Sequence, residues 1–232
     1  MSDPNDPRHP INEAPVNPLP PVVVALFLVL MGIEAVFSLS EFGLVGGRDA
    51  VGLRIEYIER FGFSGRLFDY MIETQSYSPD NLLRLVSYAF LHSSFYEGLF
   101  AMVFTLSMGK VVTEAMGPLA FVAIFFVSAA FGALCFGLLS DDPWLIGAFP
   151  AAFGLIGGFS YLLWVRLGQE GAPQMRAFSL IGMLMAMRLV FGLLFGTDDS
   201  WIADLAGFVA GFALAIVMVP GGLARIRGLL RR

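Results

Sequence analysis

Charge, histidine and cysteine are all scarce in this chain. Only 14% of its 232 residues are charged, where a soluble domain carries about 25%. The apolar share is 57% and the mean hydropathy is +0.75, which excludes an ordinary water-soluble fold. The single cysteine, Cys135, rules out an intramolecular disulfide and reads as a small apolar core residue. The two histidines, His9 and His92, leave few candidates for a general base near neutral pH. The net charge of −5 says little about partners, because in a membrane chain the placement of charge matters more than its sum. No nucleic acid, metal or cofactor is expected. Residues 1–20, rich in proline, lack both the basic start of a secretory signal and the Arg-rich character of a transit peptide. They read as a disordered polar tail, and the first apolar run then acts as an uncleaved span.

What the chain has instead is apolar runs near the length that crosses about 30 Å of hydrocarbon. Six are expected, at Val22–Leu39, Ser87–Met108, Leu119–Leu139, Trp144–Leu167, Ala177–Phe195 and Trp201–Val219. This predicts an all-α polytopic membrane protein: a bundle of six transmembrane helices over residues 21–220, with an outer interfacial loop at 41–83 and a basic tail at 221–232. Asp142 before Pro143 reads as the N-cap of span four, and Ser200 as that of span six. In the outer loop, Val51–Gln75 mixes apolar residues with charges, as one or two helices lying in the interface would.

Basic residues orient the bundle. With both termini inside, the inner segments hold eight bases (Arg8, Lys110, Arg166, Arg176, Arg225, Arg227, Arg231 and Arg232). The outer loop holds five: Arg48, Arg54, Arg60, Arg66 and Arg84. Cytoplasmic termini in a bacterial inner membrane are the expected arrangement, with the basic tail at the anionic lipid surface.

Charges within spans are costly and mark candidate functional residues. Here they are Glu34, His92, Glu97, Arg188 and Asp204. Glu97, Arg188 and Asp204 fall at similar depths and are expected to form a buried charge network. That network is either a neutralised structural cluster or a site that handles ions or protons; a proton shared by Glu97 and Asp204 for catalysis is the remaining alternative. Small residues carry the other signal. Gly207 and Gly211 form GxxxG on span six, and Gly147, Gly154 and Gly157 lie on span four, so these two helices are expected to touch closely.

Four segments, taken in order, resemble the rhomboid family of intramembrane serine proteases. RLVSYAFLHSS (Arg84–Ser94) resembles the family's approach to span two, and GKVVTEAMG (Gly109–Gly117) its Gly-x4-Glu-x2-Gly exit. PWLIGAFPAAFGLIG resembles its Pro-Trp and GxSG stretch at span four, and ADLAGFVAGF (Ala203–Phe212) its His-x2-Gly-x3-Gly pattern on span six. The resemblance runs from about Asn81 to Pro220 and implies the six-span fold. It also locates departures. Phe149 stands where the family has its nucleophilic serine, and Pro150 where it has the following glycine. Asp204 stands where it has its histidine. Glu97 and Ala101 replace the residues that help the oxyanion, and only His92 of that set is retained.

Nucleophilic catalysis needs a hydroxyl or thiol within reach of a base, and Phe149 offers neither. Ser93 and Ser94 adjoin His92 and Ser87 lies a turn earlier, but neighbours on one helical turn give poor attack geometry. The sequence therefore predicts a non-catalytic member, with Phe149 packed against span six beside Asp204 and no catalytic cavity between them. The resemblance implies a lateral opening that admits another protein's transmembrane helix. Expected partners are accordingly membrane lipid and the transmembrane helices of other membrane proteins, through adaptor, client-handling or assembly roles, with Arg188 selecting acidic clients if it faces the opening. The alternatives are an active endopeptidase with non-standard residues and a fixed subunit of a stable membrane complex.

Overall fold

A computed structural model describes residues 18–46, 52–140, 142–195 and 198–222. The expected tails, apart from residues 18–20 and 221–222, lie outside the described residues, as do His9, Arg48 and Asp141. Nine α-helices are described. α1 (Pro21–Glu41) precedes three short helices, α2 (Leu53–Phe61), α3 (Gly65–Thr74) and α4 (Pro79–Ser87). A 3-10 turn at Tyr88–Phe90 leads to α5 (Phe95–Met116), α6 (Pro118–Leu139) and α7 (Phe149–Gln169). A second 3-10 turn, Gln174–Phe178, leads to α8 (Ser179–Phe195) and α9 (Ser200–Met218).

Proline punctuates this order. Pro21, Pro79, Pro118 and Pro150 all sit in a first helical turn, where a missing N–H leaves no bond unmade. α1, α5, α6, α7 and α9 are each long and apolar enough to cross a membrane. α8 takes the place of the expected fifth span with 17 residues, about 26 Å of helix at ~1.5 Å per residue. Large apolar side chains on the outside of the bundle, among them Leu28, Phe131, Leu138 and Val209, are exposed as a lipid-facing surface requires.

α7 is the hub. It packs most extensively on α9, then on α6 and α5, while α1 leans on α5 and α8 lies at the periphery. Every residue from Pro150 to Gly158 is in the interior or nearly so. Helices in lipid gain little from apolar burial and associate through close packing, and here the packing is backbone on backbone. A methyl group at Gly207 would strike the Pro150 carbonyl, one at Gly211 the Gly154 carbonyl, and one at Gly157 the Phe208 carbonyl. Gly154 is pressed in turn by Ser128 of α6.

Three expected helix starts need correction. The span expected from Trp144 begins as a helix only at Phe149, because Phe63 and Leu145 pair as an isolated antiparallel bridge that keeps Leu145 out of the helix. Asp142–Pro143 is therefore no helix start, despite its local signature. The span expected from Ser87 begins at Phe95, after the 3-10 turn and a short loop. Ser200 is the first residue of α9 and not its cap, which is Asp199. The interfacial reading of the outer loop meets two short helices there, α2 and α3.

The α7–α9 contact predicts an asymmetry among glycines. Gly211→Val should overpack the interface at a cost of about 1–3 kcal/mol or more and lower the thermal unfolding midpoint in detergent by several degrees. Gly182→Val, on α8 with open space around the added carbon, should leave the midpoint nearly unchanged.

Candidate functional site

α5, α7 and α9 all start at one face of the bundle, and α8 brings its second half to the same place. The segment before α7 is pinned there by three backbone hydrogen bonds. Phe63 and Leu145 exchange two of them, at 3.2 and 2.9 Å, and the Gly147 N–H donates to the Tyr88 carbonyl at 3.1 Å. Gly147 adopts φ +100°, and a Cβ there would lie 2.5 Å from Glu97 Oε1. Both conditions demand glycine. Ser140, Asp142 and Asp199 join this segment to the start of α9: the Asp199 N–H donates to Asp142 Oδ2 at 2.6 Å, and the Ser140 hydroxyl to Asp199 Oδ2 at 2.9 Å.

Between these elements lies a cavity of about 440 Å³, with Phe149, Pro150, Glu97, Arg188 and Asp204 in its wall. The expectation of a filled site is thereby corrected. Phe149 borders the cavity without occupying it. Its ring turns along its own helix to meet Phe153 edge-on, with ring centroids 6.5 Å apart, and joins the cluster of Phe153, Ile181, Leu184 and Phe208.

The structure brings Arg188 and Asp204 together and leaves Glu97 with another partner. Arg188 Nη1 lies 2.8 Å from Asp204 Oδ2, an ion pair without hydrogen-bond alignment, and Nη2 donates to Asp198 Oδ1 at 3.0 Å and to the Ser200 hydroxyl. Asp204 is 1% exposed, and its Oδ1 has no partner among the described residues. Glu97 Oε2 accepts from the Ser93 N–H at 2.9 Å and from the Ser93 hydroxyl. Burial pushes the Asp198 carboxyl up, but the Ser200 hydroxyl and Arg188 more than reverse this, so its pKa lies below the usual aspartate value. Two serines reach the cavity wall, Ser93 and Ser200, and each hydroxyl is held by a carboxylate. Ala101 is fully buried and offers no side-chain donor.

His92 does not face the cavity. It belongs to a second cluster, which the sequence reading did not find. Arg54 of α2 is only 6% exposed and grips the fully buried Glu34 of α1 with both ends of its fork, at 2.8 and 3.1 Å. Its Nη1 also donates to the His92 carbonyl at 2.7 Å, and its Nε to Glu41 at 2.5 Å. The guanidinium stands over the Phe37 ring, 5.4 Å from the centroid. Burial lowers the Arg54 pKa, and Glu34 and Glu41 together raise it above its ordinary value. The His92 Nδ1 lies 3.7 Å from Glu34 Oε2, beyond hydrogen-bond length, and neither ring nitrogen has a hydrogen-bond partner among the described residues. Arg84, the other ordering arginine, donates to the carbonyls of Glu59 and Gly62 at 3.0 and 3.1 Å and so fixes the end of α2. Burial lowers its pKa.

One signal was available for Glu97. Ser94-x-x-Glu97 spells a capping box, and the Ser94 hydroxyl does accept from the Glu97 N–H at 3.3 Å. The Glu97 side chain then reaches back one residue further than the motif predicts, to Ser93.

A helical membrane bundle whose central helix meets the last one through glycine, with a polar recess at their shared start, defines the class. Within that class, residues 79–221 match the rhomboid domain, and the chain belongs to the rhomboid family. It is 32% identical over 144 residues to Rhomboid-like protease 3 of Toxoplasma gondii, covering 60% of this chain and 52% of that protein. It is 30% identical over 142 residues to Rhomboid-like protease 1 of the same organism, covering 58% of this chain and 46% of that one. The chain thus spans about half the length of the curated relatives it matches.

The Arg54 cluster yields a second prediction. Arg54→Met leaves Glu34 charged and buried without its partner, which costs about 3–5 kcal/mol. Adding Glu34→Met removes the stranded charge and should recover most of the lost thermal stability. A double variant as unstable as the single one would show that Arg54 acts through its contacts with His92 and Glu41 instead.

Proposed function

We propose that this protein is a non-catalytic rhomboid that binds transmembrane segments of partner proteins. The observation that carries the reading is Phe149 at the first position of α7, where the family resemblance implies a serine, opposite Asp204, where it implies a histidine. The surroundings point the same way. The Ser93 and Ser200 hydroxyls at the cavity are engaged by Glu97 and by Asp198 with Arg188, and among the described residues no histidine lines that cavity. Ala101 cannot support an oxyanion. Losing the nucleophile, the base and a donor together removes what makes acyl transfer fast, since single losses already cost orders of magnitude.

Both curated relatives bear the name protease, so an active endopeptidase with unusual residues is the competing reading. It would need Glu97 and Asp204 to share a proton, yet the two are held by different partners and no hydrogen bond joins them. Retention of a recess at the start of α7, bordered by the peripheral α8, supports a role in holding another helix, as an adaptor, in client handling or in complex assembly. The distribution of basic residues supports cytoplasmic termini, and we assign the protein to a bacterial inner membrane.

A serine-reactive fluorophosphonate probe should leave the purified protein unlabelled. Labelling that vanishes in a serine-to-alanine variant would overturn the non-catalytic reading. Combining Phe149→Ser, Pro150→Gly and Asp204→His should yield no cleavage of a rhomboid substrate, because Glu97 and Ala101 still leave the oxyanion unsupported. Purification from native membranes with quantitative mass spectrometry separates the binding roles: many substoichiometric membrane proteins are expected for client handling, one partner at fixed ratio for a complex subunit.

A further inference from the structure

Four carboxylates line the recess, those of Glu97, Asp142, Asp198 and Asp204, against the single guanidinium of Arg188. Three helix N-termini point at it and offset roughly +1.5 charges. With the acids ionised the recess still holds a surplus of negative charge. Arg188 is already committed to Asp204, Asp198 and Ser200, so it is not free to select an acidic client. Asp204 supplies an independent sign of a missing partner. It is 1% exposed, lines the cavity, and leaves Oδ1 without any hydrogen bond among the described residues. A buried carboxylate oxygen in that state is costly unless something meets it.

Part of the lining is apolar. Leu145, Ile146, Phe149 and Trp144 line the same space. Trp144 is 40% exposed, and an indole ring is the side chain that best attracts a cation. Carboxylates and apolar side chains that line one recess match a cationic head on a hydrocarbon stem. The depth matches too. Asp204 is four residues past the start of α9 and Glu97 two past that of α5, within about a turn of the membrane-surface end and so within reach of a side chain that snorkels.

We propose that this recess receives the ammonium or guanidinium of a Lys or Arg carried near the membrane-surface end of a partner's transmembrane helix. The proposal rests on the helix-binding reading above and adds the chemistry by which a partner is chosen. The stem lies against Phe149 and Leu145, and the head takes the unpartnered oxygen of Asp204 and the neighbouring Glu97.

The test uses the full chain in nanodiscs of choline-headed phospholipid and three synthetic single-span Leu/Ala peptides. They differ at one position near the surface end, which is Lys, norleucine or Glu, and binding is read by energy transfer. The Lys peptide should bind about tenfold tighter than the norleucine peptide, a usual size for one desolvated charge contact, and the Glu peptide no tighter than norleucine. In a folded Glu97→Gln/Asp204→Asn variant the Lys advantage should disappear while norleucine binding stays. Equal binding of Lys and norleucine peptides to the unmodified protein would sink the cation claim and leave helix binding standing. No binding of any peptide would remove both. A preference for Glu would make Arg188 the selecting group and overturn the proposal. Loss of the Lys preference when ethanolamine-headed lipid replaces the choline lipid would assign the recess to a lipid ammonium, and the side-chain claim would fail.

Discussion

The backbone contact between α7 and α9 is the constraint on which the rest depends. Between helices in lipid there is little hydrophobic force to spend, so adhesion comes from atoms brought very near one another. Gly207 and Gly211 accept the Pro150 and Gly154 carbonyls, and Gly157 accepts that of Phe208, where any side chain would collide. Pro150 fits this scheme because it stands in the first turn, where its missing N–H leaves no helical bond unmade. The close approach also fixes what lies at its end. Phe149 and Asp204 come to one recess because the helices that carry them cannot separate.

Two buried acids meet arginines in this bundle, and the comparison separates support from site. Glu34 has both oxygens gripped by Arg54, which in turn holds the His92 carbonyl and Glu41. Both Glu34 oxygens are thereby met, although the neighbouring His92 ring nitrogens are not, and the cluster ties α1 to α2 and to the loop before α5. Asp204 has one oxygen beside Arg188 and the other beside a cavity. The same pair of residue types is complete in one place and incomplete in the other. That incompleteness, more than the charge itself, is what the proposed partner cation would relieve.

How much of this could be read from the sequence depends on the range of the interaction. The apolar runs located the spans, and GxxxG with Gly154 and Gly157 located the face on which α7 and α9 meet, because both are patterns along one helix; Gly147, expected to join that face, precedes α7 and lies against Glu97 instead. Ser94-x-x-Glu97 was equally local and legible. The start of α7 was not, since Asp142–Pro143 carries a good capping signature that the Phe63–Leu145 bridge overrides from another part of the chain. Arg54 was counted as one loop charge among five. Nothing near it in sequence marks it as buried, and its partner lies 20 residues away on a transmembrane helix. A buried Glu34 does raise the question of its counter-charge, but several arginines in the loop could have answered it.

The persistence of the recess has a physical cause of its own. A phenylalanine is far larger than a serine, and simple volume arithmetic would have it fill the space. It does not, because a side chain on an α-helix follows the direction of its Cα–Cβ bond and of its neighbours one turn away. Phe149 settles against Phe153 and the cluster that α8 and α9 supply. The recess is bounded by the pinned segment before α7, by the glycine contact between α7 and α9, and by the ion pairs of Arg188 with Asp198 and Asp204. None of these boundaries depends on which side chain begins α7. The space at the start of α7 is thus set by the backbone and by the charges around it, which is why a phenylalanine at its edge does not close it.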